Sequence, residues 1–512
     1  MAVDQKPITS SKKRWLEPVD RVAIAFILGL TLLIGVLLGT GSTAVSRVRS
    51  FNWEDKTVGA ADKAFVLEFN RPMDRDSVVE NLSISPSLPL PGKISWAGQR
   101  MVYTLPVPAP YGQAYDVRLQ DARDSFADGQ PGQTIEPFEG QFRTRDRAFA
   151  YVGVEGEESG RLVLSNLTHQ QKRILTPTDL VVMDFEPYPD GDKLLFSAIN
   201  RQAQNQNRTP DQQIYTVTTG IQPQSPDQPK QTVQPAAQLD RILDSESYRN
   251  LKFDLSPDGK LIVVQRVKKD KPGEFGLWII KEDEPPRPLD NKPGGDFIIA
   301  PDSASLAVTQ GQGVAILPFE PQADPLQFLP KFGTILTFAA DGSAAAMVKF
   351  NTDYTRSLFL VTNQGTQKEL MRTTGSILNA EFDVRNQTLY CLLTELVPGE
   401  TYQEQPFLEA IDLDTTERTR LLKLSEQRDV RMSLAPDNLA LLIDQVVAET
   451  PADGDSANES DKSGLRTSAG ESIATSQLWI LPLDYPLDED EDPQLLQPEP
   501  LPFPGVYPRW LP

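Results

Sequence analysis

Histidine and cysteine each occur once in the 512 residues, and that scarcity removes most catalytic and metal chemistry at the outset. One histidine cannot build the usual zinc ligand sets, nor an iron or copper site that needs two imidazoles. His169 lies in the polar stretch SNLTHQQKR, which reads as a turn between strands, a poor place for the base of a Ser–His–Asp triad. Cys391 lies in TLYCLLTEL, an apolar strand-like run in which a thiol is expected to be buried and inert. A lone cysteine allows no internal disulfide, and the chain contains no Gly-x-Ser-x-Gly nucleophile elbow. Carboxylates remain. Asp190, Asp258, Asp302, Asp341 and Asp437, with Asn386 in a sixth related segment, invite a metal reading, but an aspartate that bonds its own backbone in a tight turn explains them better. ADGDSANESD (452–461) is rich in oxygens yet lacks the glutamate that an EF-hand loop carries at its twelfth position. The sequence therefore assigns no catalytic, cofactor-binding or metal-binding residue and no cofactor. A carboxylate-based hydrolase or lyase would take its paired acids from distant parts of the chain, where sequence alone cannot pair them.

The elements that would position any site begin with the membrane. VAIAFILGLTLLIGVLLG (22–39) carries no charge, and none appears before Arg47. At a rise of ~1.5 Å per residue, these residues would span about 27 Å, close to a hydrocarbon core. Lys12, Lys13, Arg14 and Arg21 precede the segment, so the positive-inside rule places 1–21 in the cytoplasm and the bulk of the chain outside it. The expectation is a signal anchor over 22–46, with cleavage after Ala44 in Ser42–Ala44 as the alternative. The net charge of −21 repels phosphate backbones and argues against nucleic acid as a partner.

Residues 51–145 change texture. KAFVLEFN alternates apolar and polar positions, and NLSISP, GKISWAG, RMVYTLP, AYDVRLQDA and EGQFRTR follow at short intervals. Short alternating runs divided by Pro, Gly and Asn indicate an all-β sandwich, with no run long enough to read as a helix. FVLEFNRPMDRDSV and the segments after it resemble the bacterial SbsA-type Ig-like domain. Phe69, Asn70, Pro72, Met73, Tyr115, Asp128, Gly129, Phe142 and Thr144 carry the resemblance, which implies an exported spacer or adhesive module without catalytic residues.

The remainder is repetitive. FEPYPDGDKLLFSA (185–198) and FDLSPDGKLIVVQ (253–265) share an aromatic strand, a Pro-Asp-Gly turn and a second apolar strand. Weaker copies follow at 297–309, 336–348, 380–393 and 431–443. Proline presets φ in such a turn, aspartate bonds its own backbone, and glycine takes the left-handed conformation. Third and fourth strands, such as SLFLVTN and KELMRT, complete the unit, and four strands per repeat of this length make a propeller blade. The repeat resembles the PD40 or TolB-like (WD40-like) family and covers 147–512. VYPRWLP at the end resembles the strand before a turn, and RAFAYVGV (147–154) the strand after one. The two ends are thus expected to share a blade and close the ring, for seven blades, or six if one weak repeat is spurious. Gln/Pro-rich 200–238 and polar 449–472 read as disordered insertions, and LDEDEDP (487–493) as a solvated acidic loop.

The fold expected is thus all-β: a transmembrane helix, an Ig-like sandwich and a β-propeller. The function expected is that of a non-enzymatic interaction or scaffold protein of the cell envelope, single-pass, with its bulk in the periplasm or an equivalent lumen and its propeller binding protein partners. The alternatives are a glycan- or small-ligand-binding propeller and a carboxylate-based propeller enzyme. The chain lacks the α/β domain that precedes the propeller in TolB and would retain its anchor, so a TolB role in particular does not follow.

Overall fold

The computed structural model describes residues 18–41, 45–125, 132–204, 211–221, 234–289, 294–321, 326–397, 399, 403–425, 429–448, 465–467, 471–483 and 496–512. Asp128, Gly129, the ADGDSANESD stretch and the LDEDEDP loop lie outside the described residues. A helix runs over Pro18–Gly41. Among the described residues no helix is long and apolar enough to cross a membrane. Val22, Phe26, Ile27, Leu28 and Leu32 on this helix are all exposed.

Two four-stranded sheets follow, one holding Val48–Phe51, Ala64–Phe69, Arg100–Thr104 and Lys93–Ala97, the other Thr57–Val58, Phe138–Thr144, Ala114–Leu119 and Leu82–Ser85. Alternation puts Phe65, Leu67 and Phe69 inward from one sheet and Tyr115, Val117 and Leu119 from the other, and they meet in one core with Trp53, Met73 and Phe142. The two sheets pack face to face as a sandwich, and one expectation is corrected. Arg75–Asn81 forms a short helix, started by Asp74, whose carboxylate accepts from the amides of Asp76 and Ser77. An N-cap aspartate after a Pro-Met turn stabilises this short helix, which buries only Val78, and the run is too short to show a helical period. Asn70 and Thr144, two residues of the SbsA resemblance, hold the ends of the domain. Asn70 pins the incoming chain, accepting from the Arg47 amide and donating to the Val45 carbonyl, while the Thr144 hydroxyl bonds Pro110 and Gln113 where the sandwich meets the next domain.

Residues 148–510 form seven further four-stranded antiparallel sheets. Six are sequential, spanning Leu180–Leu243, Tyr248–Pro288, Phe297–Leu329, Thr334–Thr373, Ile377–Lys423 and Met432–Pro500. The other is split: Ala148–Gly153, Leu162–Asn166 and Gln171–Ile174 come from the beginning and Gly505–Trp510 from the end, with Trp510 opposite Phe149 and Val506 opposite Val152. Each sheet is buried on both faces, which explains the near-continuous apolar runs of its middle strands. Successive residues of a strand therefore feed different cores. Cys391 packs toward the fifth sheet with Val348 and Leu358, while Tyr390 and Leu392 pack toward the seventh with Leu441 and Ile443. Counting the split sheet as the first, its core with the second contains Ala150, Leu164, Val182 and Phe196. Further cores join second to third, third to fourth and fourth to fifth. The last contains Leu442 and Leu478 of the seventh sheet with Phe149 and Trp510 of the first. The sequence of cores returns to its start, so the sheets form a closed, propeller-like ring.

The six repeat turns are superimposable in their bonding. The amides of Gly191, Gly259, Ser303, Gly342, Asn386 and Asn438 donate to the carbonyls of Tyr188, Ser256, Ala300, Ala339, Asp383 and Ala435 at 2.8–3.0 Å, and all six donors have left-handed φ. This corrects the register of one repeat: Asn386 occupies the glycine place, with Arg385 in the aspartate place. The side chains of Asp258, Asp302, Asp341 and Asp437 each accept from the amide two residues on. The turn reading of these aspartates is therefore structural fact. Both supposed insertions also need correction. The range 200–238 contains the strand Gln213–Thr218, the third of its sheet, and at the end of 449–472 Leu465 is buried in the core between the first two sheets.

Asp437 has a second task that the repeat does not reveal. Its carboxylate, 1% exposed, accepts from the Tyr111 amide of the sandwich at 3.0 Å, with Arg147 at 3.7 Å. Arg145 donates to the carbonyls of Pro189 and Pro512 on the same face of the ring. Asp437→Ala leaves the buried Tyr111 amide and the half-buried Leu439 amide without an acceptor and is expected to lower stability by about 2–3 kcal/mol. Separation of one unfolding transition into two, with the sandwich melting independently, would report the lost docking in a calorimetric scan.

Candidate functional site

The innermost strand of every sheet borders a channel on the ring axis. It is a cavity of about 830 Å³, within the range of about 300–1,000 Å³ usual for small-molecule sites. Each innermost strand runs toward its repeat turn, on the face where the sandwich docks; the far end of the channel, where these strands begin, is called its mouth. Bulges in five of these strands, at Met183, Leu251, Leu336 and Leu378 and between Val506 and Arg509, re-aim side chains along the channel.

One position decides the channel's chemistry. Two residues before the start of each turn stand Glu186, Asp254, Ile298, Thr337, Glu381 and Ser433, and Arg509 holds the equivalent place in the split sheet. Four of these side chains act as staples between neighbouring sheets. Glu186 accepts from the Leu255 amide at 2.8 Å, Asp254 from Ile299 at 2.5 Å, Glu381 from Leu434 at 2.9 Å and Ser433 from Trp510 at 3.2 Å. At the closing seam the facing residue is Pro187, which has no amide hydrogen to give. A cation, Arg509, stands there instead, 3.9 Å from both Asp184 and Glu186. Burial acts to lower its basicity, but Asp184, Glu186, Glu381 and Asp254 together overcome that and hold it above the ordinary arginine value.

Burial raises the Glu186 carboxyl, helped by neighbouring Asp254, and burial likewise raises Asp254. Two neighbouring buried acids on adjacent sheets ionise together less easily than either would alone. Burial also raises Glu381. Nearer the mouth, Lys252 pairs with Asp296, and Arg431 with Asp184 at 3.3 Å, the Arg431 guanidinium lying 3.8 Å from the Tyr507 ring centre. The channel wall thus mixes both signs of charge, and several of its ionised groups are paired within the wall.

The residues that the sequence singled out lie elsewhere. His169 is half-exposed in the turn between Leu162–Asn166 and Gln171–Ile174, 3.2 Å from Asp146, on the sandwich side. Cys391 is fully buried, and burial raises its thiol far above the ordinary range. Among the described residues no group of three or more His, Cys, Asp or Glu could hold a metal ion. The channel residues were missed because one acid within an apolar strand looks incidental. The signal was the repeat itself: aligned on their turns, the segments place a polar residue at this position in six of the seven sheets.

Around the mouth, the hairpins between second and third strands carry exposed apolar side chains. Phe350 and Tyr354 are 59% and 91% exposed in the fifth sheet, with Leu396 in the sixth and Val447 in the seventh. Arg466 and Thr467 line the cavity, so the end of the polar 449–472 segment contributes to its rim.

The fold and the site define a class of protein: an all-β chain in which a sandwich is docked on a propeller-like ring that encloses a charged channel. No family model and no curated protein matches the chain. Among solved structures it is similar to TolB from Acinetobacter baumannii, at 12% identity over 68% of this chain and 80% of that one, with a TM-score of 0.38. It is also similar to a functionally unknown protein from Desulfotomaculum acetoxidans, at 11% identity over 65% and 92% of the two chains and a TM-score of 0.38. A third similar structure, from Bacteroides fragilis and bearing the description 6-phosphogluconolactonase, has 12% identity over 72% and 98%, with a TM-score of 0.39. Likenesses this distant carry no activity to the chain; its architecture rests on its own strand pairing.

Proposed function

We propose that this chain is a membrane-anchored, exported interaction protein: an SbsA-like spacer carrying a seven-bladed TolB-like propeller that binds a protein partner outside the cytoplasm. One observation carries the reading. Exposed apolar side chains cluster by topology on the hairpins of three consecutive sheets, on the ring face that the sandwich leaves uncovered. Exposed apolar surface rimmed by polar groups is the usual mark of a protein contact. The tying of Glu186, Asp254 and Glu381 to backbone amides across the seams supports a non-enzymatic role, since these acids hold sheets together. The uncharged segment 22–46 and the basic residues before it support the anchor and the orientation.

The test uses the full-length chain in its membrane, with a photo-crosslinking residue at Tyr354 or, as control, at exposed Lys93 of the sandwich. A discrete protein adduct from 354 and none from 93 is expected. Its absence at both 354 and 350 would overturn the docking face. Retention in the membrane pellet after alkaline extraction is expected for the anchor; release would overturn it.

A further inference from the structure

We propose that the channel floor binds one neutral polyhydroxylated unit, a sugar residue, through Arg509, Glu381, Asn379 and Ser433. The inference stands apart from the protein-docking reading and does not need it. It begins from hydrogen-bonding capacity left over after the ring is built. Among the described residues the Arg509 guanidinium makes no hydrogen bond, its nearest carboxylate oxygens lying at 3.9 Å, so its donors face the cavity. Glu381 spends one oxygen on the Leu434 amide and keeps the other. Asn379 accepts from the Ala380 amide at 2.8 Å and keeps its two amide hydrogens. Ser433 accepts from Trp510 and keeps its hydroxyl proton. Donors and acceptors therefore converge on one cavity from the first, sixth and seventh sheets, all fixed on strands.

The charge pattern selects the ligand class. Cations and carboxylates are both distributed around the wall, and Lys252 and Arg431 already have partners in Asp296 and Asp184. A ligand with net charge meets like charge on one side or the other and gives up hydration to do so. A ring of hydroxyls gives each group what it lacks, accepting from Arg509 and Asn379 and donating to Glu381. No open aromatic face competes, because Phe253, Phe297 and Trp510 are packed into the cores and the Tyr507 face is covered by Arg431; the apolar share of the wall is aliphatic, from Ile298, Leu336 and Leu378. Recognition would rest on hydrogen bonds, with the modest affinity typical of a wet polar site.

Saturation-transfer NMR and calorimetric titration of the full chain in nanodiscs test this with defined probes. Glucose, galactose, mannose and N-acetylglucosamine form the neutral set; glucosamine and glucuronate carry one charge of each sign on the same ring. At least one neutral sugar is expected to bind saturably and at least about tenfold more tightly than either charged ring. Glu381→Gln, which keeps the seam bond, and Asn379→Ala are expected to weaken it about tenfold, with Phe350→Ala unchanged. A neutral tetrasaccharide binding more tightly than its terminal monosaccharide would identify a glycan chain end as the source, and equal affinity a free sugar. Absence of saturable binding across the neutral set, preference for a charged ring, or binding unaltered in both channel variants would overturn the proposal. Unchanged melting temperatures of the variants guard against misfolding as the cause of any loss.

Discussion

A chain ending at Pro504 should fail to fold cooperatively, because it lacks the innermost strand of the split sheet. That strand buries Val506, Trp510 and Leu511, all under 6% exposed. Burying such side chains contributes roughly 1.5–3 kcal/mol each, which together rivals the whole stability of an ordinary domain, about 5–15 kcal/mol. The loss also strips Ala148–Gly153 of its partner and exposes an edge in the middle of the ring. Trp510→Ala is the milder version and should cost about 3–5 kcal/mol, since its ring meets Phe149 edge-on at 5.7 Å and Arg147 lies over it. Urea denaturation followed by circular dichroism measures both. Wild-type unfolding of the truncated chain would show that the ends do not close the ring.

Stability should be greatest on the acid side of neutrality and fall as the pH rises toward 7. The group that sets this most clearly is Asp444, buried beside the closing strand, where it accepts from the amides of Arg431 and Tyr507 at 2.5 and 2.7 Å. Burial outweighs those bonds and pushes its carboxyl from 3.8 up to about 6. A folded state that holds a proton more tightly than the unfolded chain gains stability wherever that proton is bound. The gain is full below about pH 4 and is lost as the pH climbs through 6. One such shift corresponds to about 3 kcal/mol. Glu186 and Asp254, raised in the same direction, extend the decline to higher pH. Asp341 and Asp412 work oppositely: bonds from Ser343 and from Thr415 hold their carboxyls low, so they favour the fold above their ordinary range and lose that contribution in acid. Asp341 is exposed and Asp412 partly so, and interactions so open to solvent contribute little. Chemical denaturation from pH 4 to 8 should therefore give a falling profile, and Glu186→Gln, neutral throughout, should flatten its upper part. A profile rising through this range would contradict the burial argument.

Much of this architecture was legible because turns and alternation are local. Pro-Asp-Gly followed by an apolar run needs no distant information, and the ends could be paired because VYPRWLP and RAFAYVGV are complementary halves of one repeat. What the sequence concealed was relational. Asn386 drifted by one place because asparagine substitutes for glycine in left-handed backbone as readily as for aspartate in a turn. Gln213–Thr218 was hidden between two polar stretches, and the Arg75–Asn81 helix by its brevity. Leu465 is one apolar residue in a polar tract, and only a neighbouring core gives it meaning. The channel acids were visible as residues, but their role depends on an amide one sheet away, which no spacing along the chain reports.

The split sheet also imposes an order on biosynthesis. Phe149 pairs with Trp510, so the first strand of the ring to leave the ribosome is completed only by the last. Through the synthesis of six intervening sheets, Ala148–Gly153 presents an apolar strand with one edge unpaired. The sandwich can fold early, because its strands lie close together in the chain, and it stands beside the waiting edge. Closure is thus a late, single event, and the interval before it is when a chaperone would have most to protect.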